Sequence, residues 1–541
     1  MSRADLIFVR GQVVTVDPQD RVVSALAVRG DRIVYVGDDR GALAWKGSGT
    51  RVVDLEGRTL TPGLIDAHCH LVGEGSIDDT IDLKWPAVKS IAAIKVRVAE
   101  AARQQPPGTW IRGRGYNQNK LTEQRHPTRA DLDPVAPEHP VILTRTCGHI
   151  TACNTLALKA AGLALAEPDP QGGIFDRDSE GRLNGVCRET ARERARVASA
   201  FTAGELRSHY RTACWSYVRQ GVTSAHDMGR PVTTPDLMRW HMEDDLPLRV
   251  FAFVSNTVDD GLLPDEGGPL CFLQGGPMFR VGHYKLFADG SSSGPTAATR
   301  EPYTVDPENC GILIYTQEEI DAMYRRANRL GWPTSAHAVG DRGIEMVLNG
   351  QERAMLDRPR GGVDLSPAYS VNPRHRIEHC AMAFPDLRAR LRRSGVVPVA
   401  QAVFLYEFGD GYVRDYGPER GGLMMPCKSF LREGIPVAGS SDAPVTSSSV
   451  LLGLSTTCTR RSQSGQVIGR EECLTPLEAI RIYTLHGAYA EFQEDVKGSL
   501  EVGKLADLTV FSQPLLDVNP VEWPDLDVDM TVVGGRLLHE L

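Results

Sequence analysis

Strand-like and helix-like segments alternate between residues 63 and 444, and this alternation restricts the possible folds more than any other feature of the chain. Eight apolar runs have the length and composition of buried strands: GLIDAHCHL, VTSAHDM, RVFAFVS, RVGHYKLFADG, PTSAHAVG, HRIEHC, VVPVAQAVF and PVAGSSDAP. Most are separated by helix-like stretches such as QEEIDAMYRRANRL and PDLRARLRRSG. Strands joined through helices run parallel, and eight of them close a barrel. The sequence therefore predicts an α/β protein built on a (β/α)8, TIM-like barrel.

The two ends of the chain have a different pattern. Residues 1–60 contain short runs of alternating apolar and polar residues around Arg-Gly, Gly-Asp and Glu-Gly turns, as β-hairpins do. Residues 495–541 repeat this pattern, and neither end has enough strands to bury a sheet face alone. We therefore predict that 1–60 and 495–541 pair into one composite β-sandwich domain beside a barrel formed by 61–494.

The stretch from residue 73 to residue 221 is too long for a single connection between barrel strands. It contains strand-like runs of its own, WIRGRGYN and PVILTRTCGHI, and Asn154 stands where it could cap a helix. We predict that this stretch contains an insertion, placed after the first barrel strand, that covers the barrel mouth.

Composition excludes several classes of function. The formal net charge is −9 and the basic residues are scattered among acids, so nucleic acid and anionic membrane are not expected partners and a small-molecule substrate is. The eleven cysteines form no Cys-x-x-Cys pair, which argues against a disulfide framework and a zinc ribbon. The chain has no signal-peptide pattern and no apolar run long enough to cross a membrane. We expect a reduced, cytoplasmic protein, and a homodimer is compatible with the sequence.

Side chains that could carry chemistry stand at the carboxyl ends of the predicted strands. They are His68 and His70 in strand one, Lys285 in strand four, His337 in strand five, His379 in strand six and Asp442 in strand eight. In a parallel barrel these ends meet at one mouth. Imidazole nitrogens and a carboxylate suit a borderline divalent ion, so we predict a metal site, with zinc as the expected ion. Each histidine taken alone could instead be a hydrogen-bonded core residue.

The chain also resembles a known family. The resemblance is carried by TPGLIDAHCH, GHITACNTLALKAAG, GGIFDRDSEGRLNGV, YKLFADGS, HAVGDRGI, RIEHC, GSSDAPV and GSLEVGKLADLTVF. Together these segments are similar to the amidohydrolase superfamily and, within it, to the YtcJ-like branch (the amidohydrolase 3 group). The resemblance implies a metal-dependent hydrolase acting on a C–N bond, and deformylation of N-substituted formamides is the best-known activity of this branch.

The resemblance implies a division of the ligands between one or two metal ions. His68, His70 and Asp442 would hold one ion, and His337 and His379 the other. A water shared between the two ions would be acidified, so that hydroxide is available near neutral pH. This hydroxide would be the nucleophile.

Lys285 is expected to act as an anionic bridge between the ions. An ammonium group would be repelled by divalent cations, whereas a lysine carbamylated by carbon dioxide carries a negative charge. Two alternatives remain open: Lys285 pairs with a nearby acid such as Asp289, or Glu189 supplies the bridge in its place.

Two residues are expected to act on the substrate. The resemblance implies that Asp442 takes a proton from the attacking water and passes it to the leaving nitrogen. His149 comes from the predicted insertion, where it would either hydrogen-bond the substrate carbonyl and its developing oxyanion or stabilise a loop.

Three alternatives accompany the favoured function, which is hydrolysis of an amide, N-formyl or N-acyl bond in a small molecule. A deaminase typically uses a glutamate near the strand-five histidine, and HAVGD offers none. A cyclic amide or lactone hydrolase would use the same metal ligands. A regulatory barrel that only binds metal or ligand would be free to lose ligands, and the set here is complete.

Overall fold

The centre of the protein is an eight-stranded parallel sheet, nearly closed into a barrel. The computed structural model describes residues 3–229, 231–356 and 372–541. The barrel strands, numbered β1 to β8, are Leu64–Cys69, Val222–Asp227, Arg249–Ser255, Phe279–Phe287, Thr334–Ala338, Arg376–His379, Val397–Ala400 and Ala438–Gly439. Each strand pairs in parallel with the next strand along the chain. The predicted (β/α)8 barrel is confirmed: seven strands fall within the apolar runs that predicted them, and β4 begins one residue before its run.

Helices connect most of these strands. These connecting helices are Ala203–Arg219, Thr234–Glu243, Gln317–Arg329, Asp341–Leu356, Pro385–Ser394, Val403–Gly422 and Cys427–Arg432. Three more helices follow β8: Val450–Thr459, Pro476–Ile482 and Leu485–Ala490. The helix after β4 shows why they form: Thr316 and Glu319 make a capping box, and Ile320, Tyr324 and Ala327 recur at helical spacing on its buried face. Among the described residues, no helix combines the length and apolar composition that crossing a bilayer requires.

Both chain ends contribute to one composite β-domain, as predicted. A four-stranded sheet contains Arg32–Gly37, Ala25–Arg29, Leu6–Val9 and Arg51–Asp54; a six-stranded sheet contains Arg536–Glu540, Val528–Val533, Leu508–Phe511, Thr59–Pro62, Gln12–Val14 and Val22–Val23. Thr59–Pro62 pairs antiparallel with Leu508–Phe511, which joins the two ends directly. Phe8 and Leu26 pack with Val510 and Val532 in one buried cluster. The residue limits of the domains remain predictions.

The insertion after β1 forms a further six-stranded sheet. Its strands, in spatial order, are Gly173–Arg177, Leu183–Glu189, Ile150–Cys153, Val141–Arg145, Ile111–Tyr116 and Ile81–Asp82. The helices in this part of the chain are Leu71–Gly75, Ile91–Gln104, Arg129–Leu132, Thr155–Ala160 and Glu193–Ala198, and Asp39–Leu43 lies in the N-terminal part. Asn154 caps its helix by accepting the Ala157 N–H at 2.9 Å, as predicted. Arg114 donates to the carbonyls of Gly73 and Pro444, which ties the insertion to the loops at the barrel mouth.

Candidate metal centre and cavity

The end of β1 directs two histidines at one carboxylate. Side chains alternate along a strand, so His68 and His70 share a face. The Nε2 atom of each lies 3.2 Å from Oδ1 of Asp442. Burial alone would lower the pKa of His68, but Asp442 and Glu378 reverse this effect and raise it. Burial would likewise raise the pKa of Asp442, yet His68 and His70 hold it well below its usual range. Burial lowers the pKa of His70, against the opposite effect of Asp442.

Two of the site residues, Asp442 and His379, have a left-handed backbone conformation. Asp442 has φ 57° and His379 has φ 70°, a conformation that costs a non-glycine residue roughly 1–2 kcal/mol. The backbone N–H of Asp442 donates to the His68 carbonyl at 2.7 Å, which fixes the end of β8 against β1. At the end of β6 the left-handed turn lets both Glu378 and His379 lie beside His68. Such strain is typical of functional sites.

His68, His379 and Asp442 form a group that could hold a metal ion. Each offers one ligand atom, these atoms all lie within 4.8 Å of one another, and all three residues are buried. Two imidazole nitrogens and a carboxylate oxygen are donors that zinc and similar divalent ions prefer. The donor set therefore fits the predicted divalent metal.

Each histidine of this group is oriented by a second side chain. Nδ1 of His68 lies 2.7 Å from Glu378 Oε2, and Nδ1 of His379 lies 2.7 Å from Gln401 Oε1. Both partners are acceptors, so both Nδ1 atoms donate and the Nε2 lone pairs remain for a metal. Neither Glu378 nor Gln401 was predicted from the sequence to belong to the site. The position of Glu378 directly before His379 was the available signal.

The charge on Glu378 is compensated although the side chain is fully buried. Arg376 donates to both of its oxygens, at 2.8 and 3.0 Å, and Ser335 donates to Oε1 at 2.7 Å. Burial would raise the pKa of Glu378, but Arg376 and His68 hold it well below its usual range. An ionised Glu378 therefore fixes the orientation of the His68 ring through its Nδ1 atom.

His337 lies next to this group. Its ring centre is 4.4 Å from that of His379, and its Nε2 donates to the Gly290 carbonyl at 3.1 Å. Burial, together with the neighbouring His379 and His149 side chains, holds the pKa of His337 well below its usual range. The predicted assignment of His337 and His379 to a second ion stays a prediction, because the structure gathers His379 with His68 and Asp442.

Lys285 is buried among the same residues. Its side chain lines the cavity, with Nζ 5.0 Å from the centre of the Phe287 ring. The acid named as its alternative partner, Asp289, accepts backbone N–H groups from Ala298, Val339 and Gly340. The predicted role of Lys285 as a carbamylated bridge stays a prediction.

Glu189 is engaged with His149. Nδ1 of His149 lies 2.6 Å from Glu189 Oε2, and Thr296 donates to Oε1 at 2.6 Å. Burial would lower the pKa of His149, but the Glu189 carboxylate raises it above its usual value. The His149 ring centre is 5.0 Å from that of His337, so the insertion brings this histidine to the metal ligands. Glu189 thus orients His149, and its predicted role as an alternative bridge remains untested.

One cavity joins all of the predicted site residues. Its volume is about 330 Å³, within the range of small-molecule sites. The barrel and the insertion both line it. The site residues that reach it are His68, His70, His149, Lys285, His337, His379 and Asp442.

A comparison with protein families gives a match over nearly the whole chain. The family described as "Amidohydrolase family" matches residues 51–539. This range begins in the N-terminal β-strands, spans the barrel and the insertion, and ends in the last strand. The match therefore includes every residue of the candidate site.

Individual relatives extend over similar lengths. The chain is 29% identical over 511 residues to the Bacillus subtilis (strain 168) protein YtcJ, named as an amidohydrolase, covering 91% of each chain. It is 28% identical over 566 residues to the N-substituted formamide deformylase of Arthrobacter pascens, covering 99% of this chain and 98% of the relative. The crystal structure of an uncharacterized metal-dependent hydrolase from Pyrococcus horikoshii OT3 is similar with a TM-score of 0.74 and 25% identity, covering 95% of this chain and 99% of that one.

Proposed function

The chain belongs to the Amidohydrolase family, and from this premise we propose that it is a metal-dependent hydrolase of the C–N bond in a small amide, N-formyl or N-acyl compound. The observation that carries the proposal is the group formed by His68, His379 and Asp442 within one cavity. His149 lines the same cavity and is hydrogen-bonded to the Glu189 carboxylate. The arrangement supplies a metal site, a proton carrier and a hydrogen-bond donor around one small volume.

The metal would be held by His68, His379 and Asp442, with His70 as a further donor to the same ion. A divalent ion bound there would lower the pKa of a water and polarise a substrate carbonyl. His337 and a carbamylated Lys285 would complete a binuclear site. The orientation of His68 and His379 through their Nδ1 atoms prepares the site before the ion arrives.

Asp442 would move the proton. Its Oδ1 is shared by His68 and His70, so Oδ2 is the atom that can take a proton from the attacking water. Returning that proton to the nitrogen as the C–N bond breaks makes the departing group a neutral amine. The left-handed backbone and the bond to the His68 carbonyl keep this carboxylate in place.

His149 would bind the substrate carbonyl oxygen. Its Nδ1 is committed to Glu189, which leaves Nε2 as the donor toward the cavity. A donor placed where negative charge develops stabilises the transition state more than the ground state. The Glu189 carboxylate favours the protonated ring, which is the stronger donor.

The relatives support the choice of bond. The Arthrobacter pascens protein acts, by its name, on N-substituted formamides, and its similarity extends over both barrel and insertion. We therefore place N-formyl compounds first among the expected substrates. Longer N-acyl groups come second, because the same chemistry serves both.

The proposal predicts release of an amine from N-formyl or N-acyl compounds. Zinc-loaded protein would be incubated with N-formyl and N-acetyl derivatives of amines and amino acids, and the free amine measured with an amine-reactive dye. Lactones and aminated heterocycles serve as comparison substrates. Ammonia release from a ring amine, or hydrolysis confined to lactones, would contradict the proposal and favour one of the alternative activities.

A further inference from the structure

The wall of the cavity is rich in positive charge. Arg112, Arg114, Arg192 and Arg196 all line it, in addition to Lys285. Among the lining residues that the structure describes, Asp442 is the one acid, and it is engaged by His68 and His70. The chain as a whole carries a formal charge of −9, so this basic lining is a local feature. A basic, partly closed cavity attracts an anion.

Two of these arginines, Arg112 and Arg114, stabilise the fold through hydrogen bonds to backbone carbonyls. Arg112 donates to the carbonyls of Ser199 and Ala200 and lies 4.3 Å from the centre of the Phe201 ring. Arg114 joins the insertion to the barrel loops through two backbone carbonyls. Both side chains are thus held by backbone carbonyls, although the buried Nε of Arg114 has no hydrogen-bond partner among the described residues.

Arg192 and Arg196 are different, because they share one carboxylate. Nη2 of Arg192 lies 3.5 Å from Glu193 Oε1, and Nε of Arg196 donates to Glu193 Oε2 at 2.8 Å. Two guanidinium groups against one carboxylate leave an excess of positive charge on this wall. The Arg192 side chain is only 17% exposed, and its buried Nε has no hydrogen-bond partner among the described residues. The sharing of one carboxylate by two guanidinium groups therefore distinguishes Arg192 and Arg196 from Arg112 and Arg114.

Arg192 and Arg196 follow closely in the chain after Glu189, the residue that orients His149. Glu189 orients His149, and the next residues form the short turn Thr190–Arg192 and the helix Glu193–Ala198. Arg192 and His149 line the same cavity. A ligand whose carbonyl reaches His149 would therefore have its anionic group near Arg192.

We propose that the cavity selects substrates that carry a carboxylate near the scissile C–N bond, as N-formyl and N-acyl amino acids do. The inference rests on the proposed function and names its substrate class. Arg192 would bind the carboxylate, with Arg196 adding charge, since a guanidinium group matches the geometry of a carboxylate. Phe201 and Leu206 also line the cavity and offer an apolar surface to the amino acid side chain.

A matched pair of substrates tests this selection. N-formylphenylalanine and N-formylphenethylamine differ by the carboxylate alone. We expect zinc-loaded protein to hydrolyse the acid with a kcat/KM about 10- to 100-fold higher, the range for a charged hydrogen-bonded contact. Hydrolysis of both compounds with no preference for the acid would overturn this inference and leave the proposed function standing. Failure to hydrolyse either compound, or any other N-formyl or N-acyl compound, would overturn both.

Variants connect the preference to Arg192. Arg192→Gln is expected to lower kcat/KM for N-formylphenylalanine about tenfold or more, mainly by raising KM. The ratio of kcat/KM for the acid to kcat/KM for N-formylphenethylamine should therefore decrease. Binding of 3-phenylpropionate, measured by calorimetry, should weaken by a similar factor in the same variant. Arg182→Gln is the matched control, because Arg182 pairs with Asp178 and Glu180 on the outside of the insertion. An unchanged ratio and unchanged 3-phenylpropionate binding in Arg192→Gln would show that Arg192 does not select the anion.

Discussion

Replacing Asp442 with Asn is expected to lower turnover by about 10²-fold or more, the usual scale for a lost general acid–base. Asn has nearly the same shape and still offers an oxygen to a metal, but it cannot accept and return a proton near pH 7. His68, His70, His337 and His379 are untouched by the change. Most of the bound metal should therefore remain, and KM should change much less than kcat.

Metal content, melting temperature and turnover should be measured on the same preparation of this variant. Asp259→Asn is the matched control, because Asp259 is also a fully buried carboxylate but accepts hydrogen bonds from Thr234 and Ser255 away from the cavity. The control is expected to lose stability and to keep its turnover per folded molecule. Near-normal turnover of Asp442→Asn with full metal content would remove Asp442 from the mechanism. Loss of metal and stability together would make it a structural ligand.

Replacing Lys285 with Ala is expected to lower both metal content and turnover, by about tenfold or more, as loss of supporting metal interactions typically does. The reason is the proposed carbamate of Lys285, which would supply anionic oxygens as metal ligands. Short carboxylic acids such as formate or acetate offer the same oxygens and should restore part of the activity. Metal analysis and turnover, with and without added acetate, provide the measurement.

The Lys285→Arg variant distinguishes a role of Lys285 as a carbamate from a role as a positively charged side chain. Arginine keeps the charge but is not expected to form the carbamate, because its guanidinium group stays protonated. If the carbamate is the functional form, Lys285→Arg should resemble Lys285→Ala. If Lys285→Ala retains its metal and normal turnover, the bridge is wrong, and a mononuclear site explains the group formed by His68, His379 and Asp442.

The fold was predictable because its strands carry strong local signals. Val222–Asp227 and Arg249–Ser255 are buried over their whole length, as strands of a parallel sheet covered on both faces must be. The helix Gln317–Arg329 begins with a capping box that can be read from the sequence. The pairing of the two chain ends was predictable because neither end has enough strands to bury a sheet face alone.

The site was only partly predictable, because several contacts depend on the tertiary fold. His68 and His70 share a face through strand alternation. The same rule would place Glu378 and His379 on opposite faces, and the left-handed backbone of His379 overrides it. Gln401 and Glu189 come from other elements, and no local pattern connects them to His379 and His149. The shared carboxylate of Arg192 and Arg196 was likewise invisible, because both look like ordinary residues of a solvated helix.

Titration of metal into stripped protein tests the central claim most directly. After removal of metal with a chelator, zinc would be added in steps, and bound metal and hydrolysis of an N-formyl substrate measured on each sample. We predict no turnover without metal, and turnover that rises with bound zinc until about one to two ions are held per chain, as expected for catalytic zinc sites. Full hydrolytic activity of the metal-free protein would contradict the account.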